Sequence, residues 1–327
     1  VNTLPYKREK FIEITVYTKE KEFSLYTSAG KKIPYETVSS KNTDLSETDI
    51  SLAMDIASEN YILDSYSKNP KYVFWKNKII ISSDFLPAGG YEVIDIRENE
   101  AADSNEKMVF SHENHMENEY LKINIEENGS LNIFEKESGK KFSALIYEEK
   151  GDDGDEYDYS PPKNDKVFTT ENLKAEITKL YENNFETAFE IKHVMMVPKA
   201  LNPDRSGRNK ESAELKIKST VALRAASKII TVKTELCNNS HDHIIKVLCS
   251  APVNTDSSYA GDHFSVIKRE NHISVPDNWK ELNYKSKPLP IYPMQGFADI
   301  SDGKTGIAVL SAGLPEYEIY NNSIIAL

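Results

Sequence analysis

Apolar and polar residues alternate in short runs along most of this chain, and the helical period of 3.6 is scarce. A period of two sends successive side chains to opposite faces of a strand. Such a sequence buries one face of a sheet and leaves the other wet. Residues 11–17, 23–26 and 32–35 read as strands, with a hairpin turn at Ser28-Ala29-Gly30-Lys31 between the last two. Residues 72–75, 78–81 and 91–96 resume the pattern after a polar stretch in which 50–56 reads as one short helix. Beyond residue 115, strands are expected at 120–125 and 131–134 around Asn128-Gly129, the strongest short hairpin cue. Further strands are expected at 173–181, 185–197, 213–224, 228–237, 243–250, 297–300 and 306–310, with turns at 137–140 and 301–304.

Many strands without intervening helices argue for packed antiparallel sheets over a βαβ fold. The strands from 185 to 250 read as one large antiparallel sheet. A charged stretch poor in apolar residues, 97–111, breaks the pattern and marks a domain boundary. The expected division is a small β-sandwich over 1–100, a linker over 101–114 and a large β domain over 115–327. The chain lacks an initial Met and closes on the apolar run Ser323-Ile324-Ile325-Ala326-Leu327, so it reads as a C-terminally truncated piece of a longer protein.

Composition narrows the function. With 40 basic and 52 acidic residues, a net charge of −12 and no basic block, a nucleic-acid partner is excluded. No apolar run reaches the roughly 18–20 residues of a membrane span, and residues 1–10 hold no signal-peptide core. The only cysteines, Cys237 and Cys249, read as buried free thiols in a reducing, cytoplasmic setting. Seven histidines are scattered. His112 and His115 fall in the acidic linker. His241-Asp242-His243 puts two imidazoles on one face if extended, which is short of a metal set and reads as a polar strand start. No phosphate loop, dinucleotide glycine pattern, zinc-protease helix or serine-hydrolase elbow is present.

One segment stands out chemically. Gly151-Asp152-Asp153-Gly154-Asp155-Glu156-Tyr157-Asp158-Tyr159-Ser160-Pro161-Pro162 sets two phenols among carboxylates on a glycine-flexed loop. Phenols stack on sugar faces and both donate and accept hydrogen bonds. Two carboxylates across a glycosidic bond would catalyse its hydrolysis, but 52 acids single out no pair, and a solvated acidic turn accounts for Asp155 and Asp158.

Together with this loop, several segments resemble the C-terminal β region of glycoside hydrolase family 38. They are Glu117-Asn118-Glu119-Tyr120-Leu121-Lys122, Asn128-Gly129-Ser130-Leu131, Lys136-Glu137-Ser138-Gly139-Lys140, Asn238-Asn239-Ser240-His241-Asp242-His243 and Phe297-Ala298-Asp299-Ile300-Ser301-Asp302-Gly303. Gly306-Ile307-Ala308-Val309 and Gly313-Leu314-Pro315-Glu316-Tyr317-Glu318 continue the series in the family's order. The bacterial α-mannosidase and mannosylglycerate-hydrolase-like branch is the most similar. Residues 1–100 resemble the smaller β domain that precedes this region. Lys246-Val247-Leu248-Cys249-Ser250 departs from the relatives' Arg and Phe-Pro, which reads as a repacked strand.

The resemblance implies a retaining α-mannosidase whose zinc ion and nucleophilic Asp lie in an N-terminal α/β domain, followed by a helical bundle. No segment here matches the zinc or nucleophile motifs, so it assigns no catalytic residue and no metal ligand to this chain. It implies a mannoside substrate, the N-terminal catalytic and helical domains as partners, and a cleft completed by this β region. Tyr157 resembles the family tyrosine that reaches the sugar, with Asp158 beside it. Lys304 lies near a substrate-facing arginine of some relatives, without that residue's bidentate geometry. Gln295 brings an amide to the same rim. The large sandwich also resembles the galactose-mutarotase superfold, which leaves two alternatives: a stand-alone carbohydrate-binding module, or an epimerase with a His and Glu acid/base pair in a cleft. A homo-oligomer is compatible with the sequence.

Overall fold

The computed structural model describes residues 1–6, 11–44, 73–100, 107–155, 158–284 and 287–327. Every regular element among them is a β-strand, and none contains a helix long and apolar enough to cross a membrane. The helix expected at 50–56 lies outside the described residues. The chain forms two units. The first holds Val1–Phe110 with Tyr181–Thr187 and Leu223–Ile230, and the second holds Ser111–Leu180, Ala188–Ala222 and Thr231–Leu327.

The first unit contains β1 (Phe11–Thr18), β2 (Phe23–Thr27), β3 (Lys32–Ile33), β4 (Tyr35–Asp44), β5 (Val73–Ser82) and β6 (Ile94–Glu98). They form two three-stranded sheets, ordered β1-β5-β4 and β3-β2-β6. Phe23, Leu25 and Ile33 of one sheet bury against Tyr35, Ile79 and Ile81 of the other. The Tyr35 ring stacks on Phe23 at 4.8 Å, and its hydroxyl donates to the Phe23 carbonyl at 2.7 Å. The two strands expected at 72–75 and 78–81 are one strand, β5, because Lys76 and Asn77 pair in register with β1 and β4. Its run Ile79-Ile80-Ile81 is apolar throughout because both faces are covered. Ile80 packs on the opposite side against Phe11, Phe185 and Ala225.

The second unit opens with β7 (Phe110–His112), β8 (His115–Glu117), β9 (Leu121–Ile125), β10 (Leu131–Glu135), β11 (Lys141–Gly151) and β12 (Phe168–Thr169). There follow β13 (Glu176–Glu182), β14 (Glu186–Pro198), β15 (Ser212–Arg224), β16 (Ile230–Cys237), β17 (His243–Ser250), β18 (Ser257–Asp262) and β19 (Ser265–Glu270). The last are β20 (Ile291–Pro293), β21 (Phe297–Ser301), β22 (Gly306–Leu310), β23 (Glu316–Tyr320) and β24 (Ile324–Ala326). A ten-stranded sheet runs β20-β23-β24-β17-β11-β10-β9-β8-β7, with β12 beside β11. Two four-stranded sheets are ordered β13-β14-β15-β16 and β19-β18-β21-β22.

Period-two patterning explains the packing. In β9 Leu121, Ile123 and Ile125 are buried while Lys122 and Asn124 face water. The buried face of β11 meets the β14–β16 sheet: the Tyr147 hydroxyl lies 2.7 Å from both Ser219 Oγ and Thr234 Oγ1. This is sheet-on-sheet packing with its one polar contact satisfied. A second core joins Tyr317, Ile319 and Ile325 to Ala260, Ala298 and Ile300. The strands from 185 to 250 do not share one sheet. Asp242, at φ 52, breaks the extended path, and β17 crosses to the ten-stranded sheet. His115 belongs to the short strand β8, next to the sheet's edge, bonded to Asn124 and Glu117, and not to a solvated loop. Three-residue strands leave too little alternation to be read.

Both cysteines are free. Burial pushes the Cys249 thiol up to about 11, whereas Cys237 is exposed on the edge strand β16, against the expectation of burial.

Candidate functional site

The acidic loop leaves the ladder at the end of β11, and the Asp152 and Asp155 carboxylates are spent on its own backbone. Asp152 Oδ1 accepts from the Gly154 and Ser160 amides at 2.8 and 3.0 Å. Asp155 Oδ1 accepts from the Asp158 amide at 3.0 Å. The Asp153 amide donates to the Ser160 carbonyl at 2.7 Å, closing the loop on itself. Arg205 Nε bonds Asp153 Oδ1 from outside. Gly154 is obligatory here, since a Cβ would stand 1.8 Å from the Asp158 carbonyl oxygen. These bonds are local Asx-type turns.

Beneath the loop lies a buried ionic triad. Glu149 is 0% exposed, and its carboxylate takes both Nη1 (2.9 Å) and Nη2 of Arg208 together with His243 Nδ1 at 2.9 Å. His243 Nε2 completes the set on Asn238 Oδ1 at 3.1 Å. Burial alone would raise the Glu149 carboxyl. The bonds from His243 and Arg208 outweigh it and hold the group below the usual range. Asp165 accepts from the Gly151 amide at 2.8 Å, so loop and triad meet at one residue. Glu149 and His243 are the His and Glu pair that an epimerase would need, but both are sealed and committed to structure. Sequence reading missed the triad because His243 and Arg208 are distant in the chain and carry no motif.

The opposite face of β11 is different. Glu148 and Lys150 share it with Lys246, Glu318 and Tyr320 through the registers Glu148↔Lys246 and Leu248↔Ala326↔Glu318. Lys150 Nζ donates to the Tyr320 hydroxyl at 2.8 Å, and that hydroxyl donates to Glu148 Oε1 at 3.0 Å. Lys246 Nζ pairs with Glu318 at 2.5 Å and sits 5.8 Å over the Tyr159 ring and 5.4 Å from that of Tyr320. Burial, then Asp165 and Asp152, push the Tyr159 phenol up to about 12. Tyr320 is raised by burial, then by Glu318 and Glu148. Both phenols therefore stay protonated donors at neutral pH. The two ammonium groups are matched by two carboxylates, which favours an uncharged polyol over an anion. The Tyr159 hydroxyl has no hydrogen-bond partner among the described residues. Lys246, read from sequence as mere repacking, is an ion-paired member of this face. The alternating Glu148-x-Lys150 and Glu318-x-Tyr320 were the available signals.

Of the residues singled out in the sequence, Tyr157 lies outside the described residues. Asp158 is exposed on the loop. Gln295 follows β20, where Pro293 pairs with Glu316. Strand directions across β11, β17, β24, β23 and β20 put Gln295 at the same end of the sheet as the loop. It lies four strands away, or about 19 Å. Lys304 sits in the β21–β22 turn, bonded through its amide to Asp302. The length of β21, about 17 Å, separates it from Gln295. The structure thus gathers Asp158 and Gln295 at one end and leaves Lys304 at the other. Among the described residues no three His, Cys, Asp or Glu side chains converge as a metal site, so the zinc implied by the resemblance finds no donor set in them.

Comparison with known proteins places these features in context. Residues 116–325 match the family described as glycosyl hydrolases family 38 C-terminal domain. A "Putative mannosylglycerate hydrolase" of Halalkalibacterium halodurans is 29% identical over 227 residues, covering 64% of this chain and 24% of that protein. An α-mannosidase from Enterococcus faecalis V583 superimposes with a TM-score of 0.78 at 22% identity, over 99% of this chain and 38% of the other. A glycosyl hydrolase family 38 protein from Enterococcus faecalis gives 0.74, again at 22% identity, over 99% and 39%. The chain spans well under half the length of each of these relatives, and at 22% identity the two structures speak for the fold alone.

Proposed function

This chain belongs to glycosyl hydrolase family 38, carrying that family's C-terminal domain over residues 116–325, and from this we propose that it is the non-catalytic β portion of a retaining α-mannosidase. In this reading the nucleophile and zinc belong to an N-terminal domain of the longer protein. The present chain completes the sugar cleft, with Tyr157, by its resemblance to the family tyrosine, reaching the substrate. The observation that carries the reading is the loop braced at Asp152 and Asp155, in which Lys246 sits over the Tyr159 ring and the Tyr159 hydroxyl has no hydrogen-bond partner among the described residues. Asp152 and Asp155 support the role by being occupied in shaping the loop. The one close His and Glu pair of the loop's base, Glu149 and His243, is enclosed and neutralised by Arg208, which weighs against the epimerase alternative.

What the loop supplies is position and hydrogen bonding. A side chain held in place by such bonds orients a hydroxyl-bearing substrate, which lowers the entropic cost of reaching the reactive geometry. Purified residues 1–327 are expected to leave an aryl α-mannoside intact, and hydrolysis by them would refute the reading. In the longer enzyme, Tyr159→Phe should lower kcat/KM about tenfold, the worth of one neutral hydrogen bond, without moving the melting temperature.

A further inference from the structure

The β18–β19 hairpin turns through only two residues, His263 and Phe264, between the paired Asp262 and Ser265. Such turns ordinarily place Gly or Asn where φ is positive. Here Phe264 holds φ 58 and its ring is fully exposed. A bulky aromatic in that conformation, uncovered, is costly twice over, and strained residues of this kind gather at functional positions. The tip is also built against a second segment. The Gln295 amide donates to the Gly261 carbonyl at 2.8 Å. A Cβ on Gly261 would meet the Gln295 carbonyl oxygen at 2.1 Å, so only glycine permits this approach.

The side chains then fall into one chain of bonds. Gln295 Nε2 donates to His263 Nε2 at 3.0 Å, and His263 Nδ1 donates to Asp262 Oδ1 at 3.1 Å. Arg269 stands 3.8 Å from Asp262 Oδ2 and is tied to the Pro293 carbonyl at 3.0 Å. Gln295 is exposed and its amide oxygen has no partner among the described residues, while Phe264, next in the chain to the His263 that Gln295 binds, is uncovered. An uncovered aromatic ring on the same hairpin tip as an amide-bound imidazole and a carboxylate suits a neutral pyranose: the ring takes the C–H face, and the polar groups take hydroxyls. The group lies at the same end of the sheet as loop 151–162, about 19 Å along it. One sugar cannot bridge that span, whereas an oligosaccharide can.

We propose that Phe264, His263, Gln295 and Asp262 form an outer saccharide subsite that grips a neutral oligosaccharide beyond the unit held at loop 151–162. It rests on the hydrolase reading for the identity of the sugar, but its test is binding, which needs no hydrolysis. Residues 1–327 are titrated with methyl α-mannoside and with an α-linked mannotriose, following the fluorescence of Phe264→Trp and the calorimetry of the native chain. The triose should saturate both and bind more tightly than the monosaccharide. Affinity for the triose should fall about tenfold in Phe264→Ala, the worth of one stacking contact. Gln295→Ala should cost about fivefold. Equal affinity of native and variant chains for the triose, or no saturable binding, would overturn the subsite. So would a change of sedimentation in Phe264→Ala without any change in sugar binding, since that would make the tip a protein contact. A catalytically inactive longer enzyme would refute the hydrolase reading and leave this binding result standing.

Discussion

Glu149→Gln tests the reasoning about the loop most directly. The substitution keeps the shape of the side chain but removes its charge and replaces one acceptor oxygen with an N–H donor that faces other donors. Arg208, 6% exposed, is then left in the interior with Asp165 at 3.7 Å as its remaining carboxylate, and His243 loses its anionic partner. Removing one member of a buried, hydrogen-bonded charge set costs about 3–5 kcal/mol, mostly as desolvation of the partner left behind. In a unit of this size that is a fall of about 6–20 °C in the melting of the second unit. Arg208→Met should cost less, since Glu149 can take up a proton and keep its bond to His243. The double variant should cost less than the sum of the two, because neither orphaned charge survives in it. Calorimetry on residues 1–327 supplies the energies, and hydrogen exchange at the Gly151 and Asp152 amides reports whether the loop loosens with the triad. A cost below about 1 kcal/mol for Glu149→Gln, or strict additivity in the double variant, would refute the claim that the triad braces the loop. The pH dependence carries the same sign. Glu149 is held below its unfolded value, so its contribution is complete above about pH 4.5 and is lost as pH falls through the lower folded value.

Three further outcomes are expected. Gly154→Ala should open the loop, because the new methyl meets a backbone oxygen; the cost is about 1–3 kcal/mol, with faster exchange at the Asp153 amide. His193 donates from Nε2 to the Asn128 carbonyl at 2.8 Å and keeps Nδ1 buried without a partner, and burial lowers its pKa. The unfolded chain therefore takes up the proton first. Stability should fall by up to about 1.4 kcal/mol per pH unit as pH drops below about 6.5, and His193→Gln should flatten that slope in denaturant titrations. Thiol labelling at pH 7.5 should modify the exposed Cys237 first. Cys249, raised to about 11, should react only on unfolding, and equal rates would contradict the burial described.

What could be read in advance follows from range. Strands and turns are local: Leu121–Ile125 and Leu131–Glu135 alternate cleanly, and the glycines at 129, 139 and 303 adopt positive φ in the expected turns. Sheet membership is not local. Nothing in 228–250 announces that β16 and β17 part company, because the change turns on Asp242, whose carboxylate accepts from the distant Leu201 amide. The site divides in the same way. The loop's tyrosines and glycines mark it in the sequence, whereas Glu149, Arg208 and His243 meet only in three dimensions. Asp152 and Asp155, candidate chemistry by composition, are instead internal bracing of the loop. The strands at 110–117 and 257–270 are not legible in the sequence because short or exposed strands carry little hydrophobic contrast.

The make-up of the first unit bears on how the chain is produced in time. Phe185 and Ala225, which cover Ile80, are encoded more than a hundred residues after it. As the polypeptide leaves the ribosome, the amino-terminal sheets can pair early, yet one apolar side of β5, with Phe11 beside it, stays only partly covered until residue 225 has emerged. During that interval the nascent chain shows a sticky, half-finished surface, and a chaperone that binds apolar segments has its natural substrate there. Stopping synthesis near residue 110 would therefore release an aggregation-prone product, while extension past residue 230 would restore solubility to those same first hundred residues.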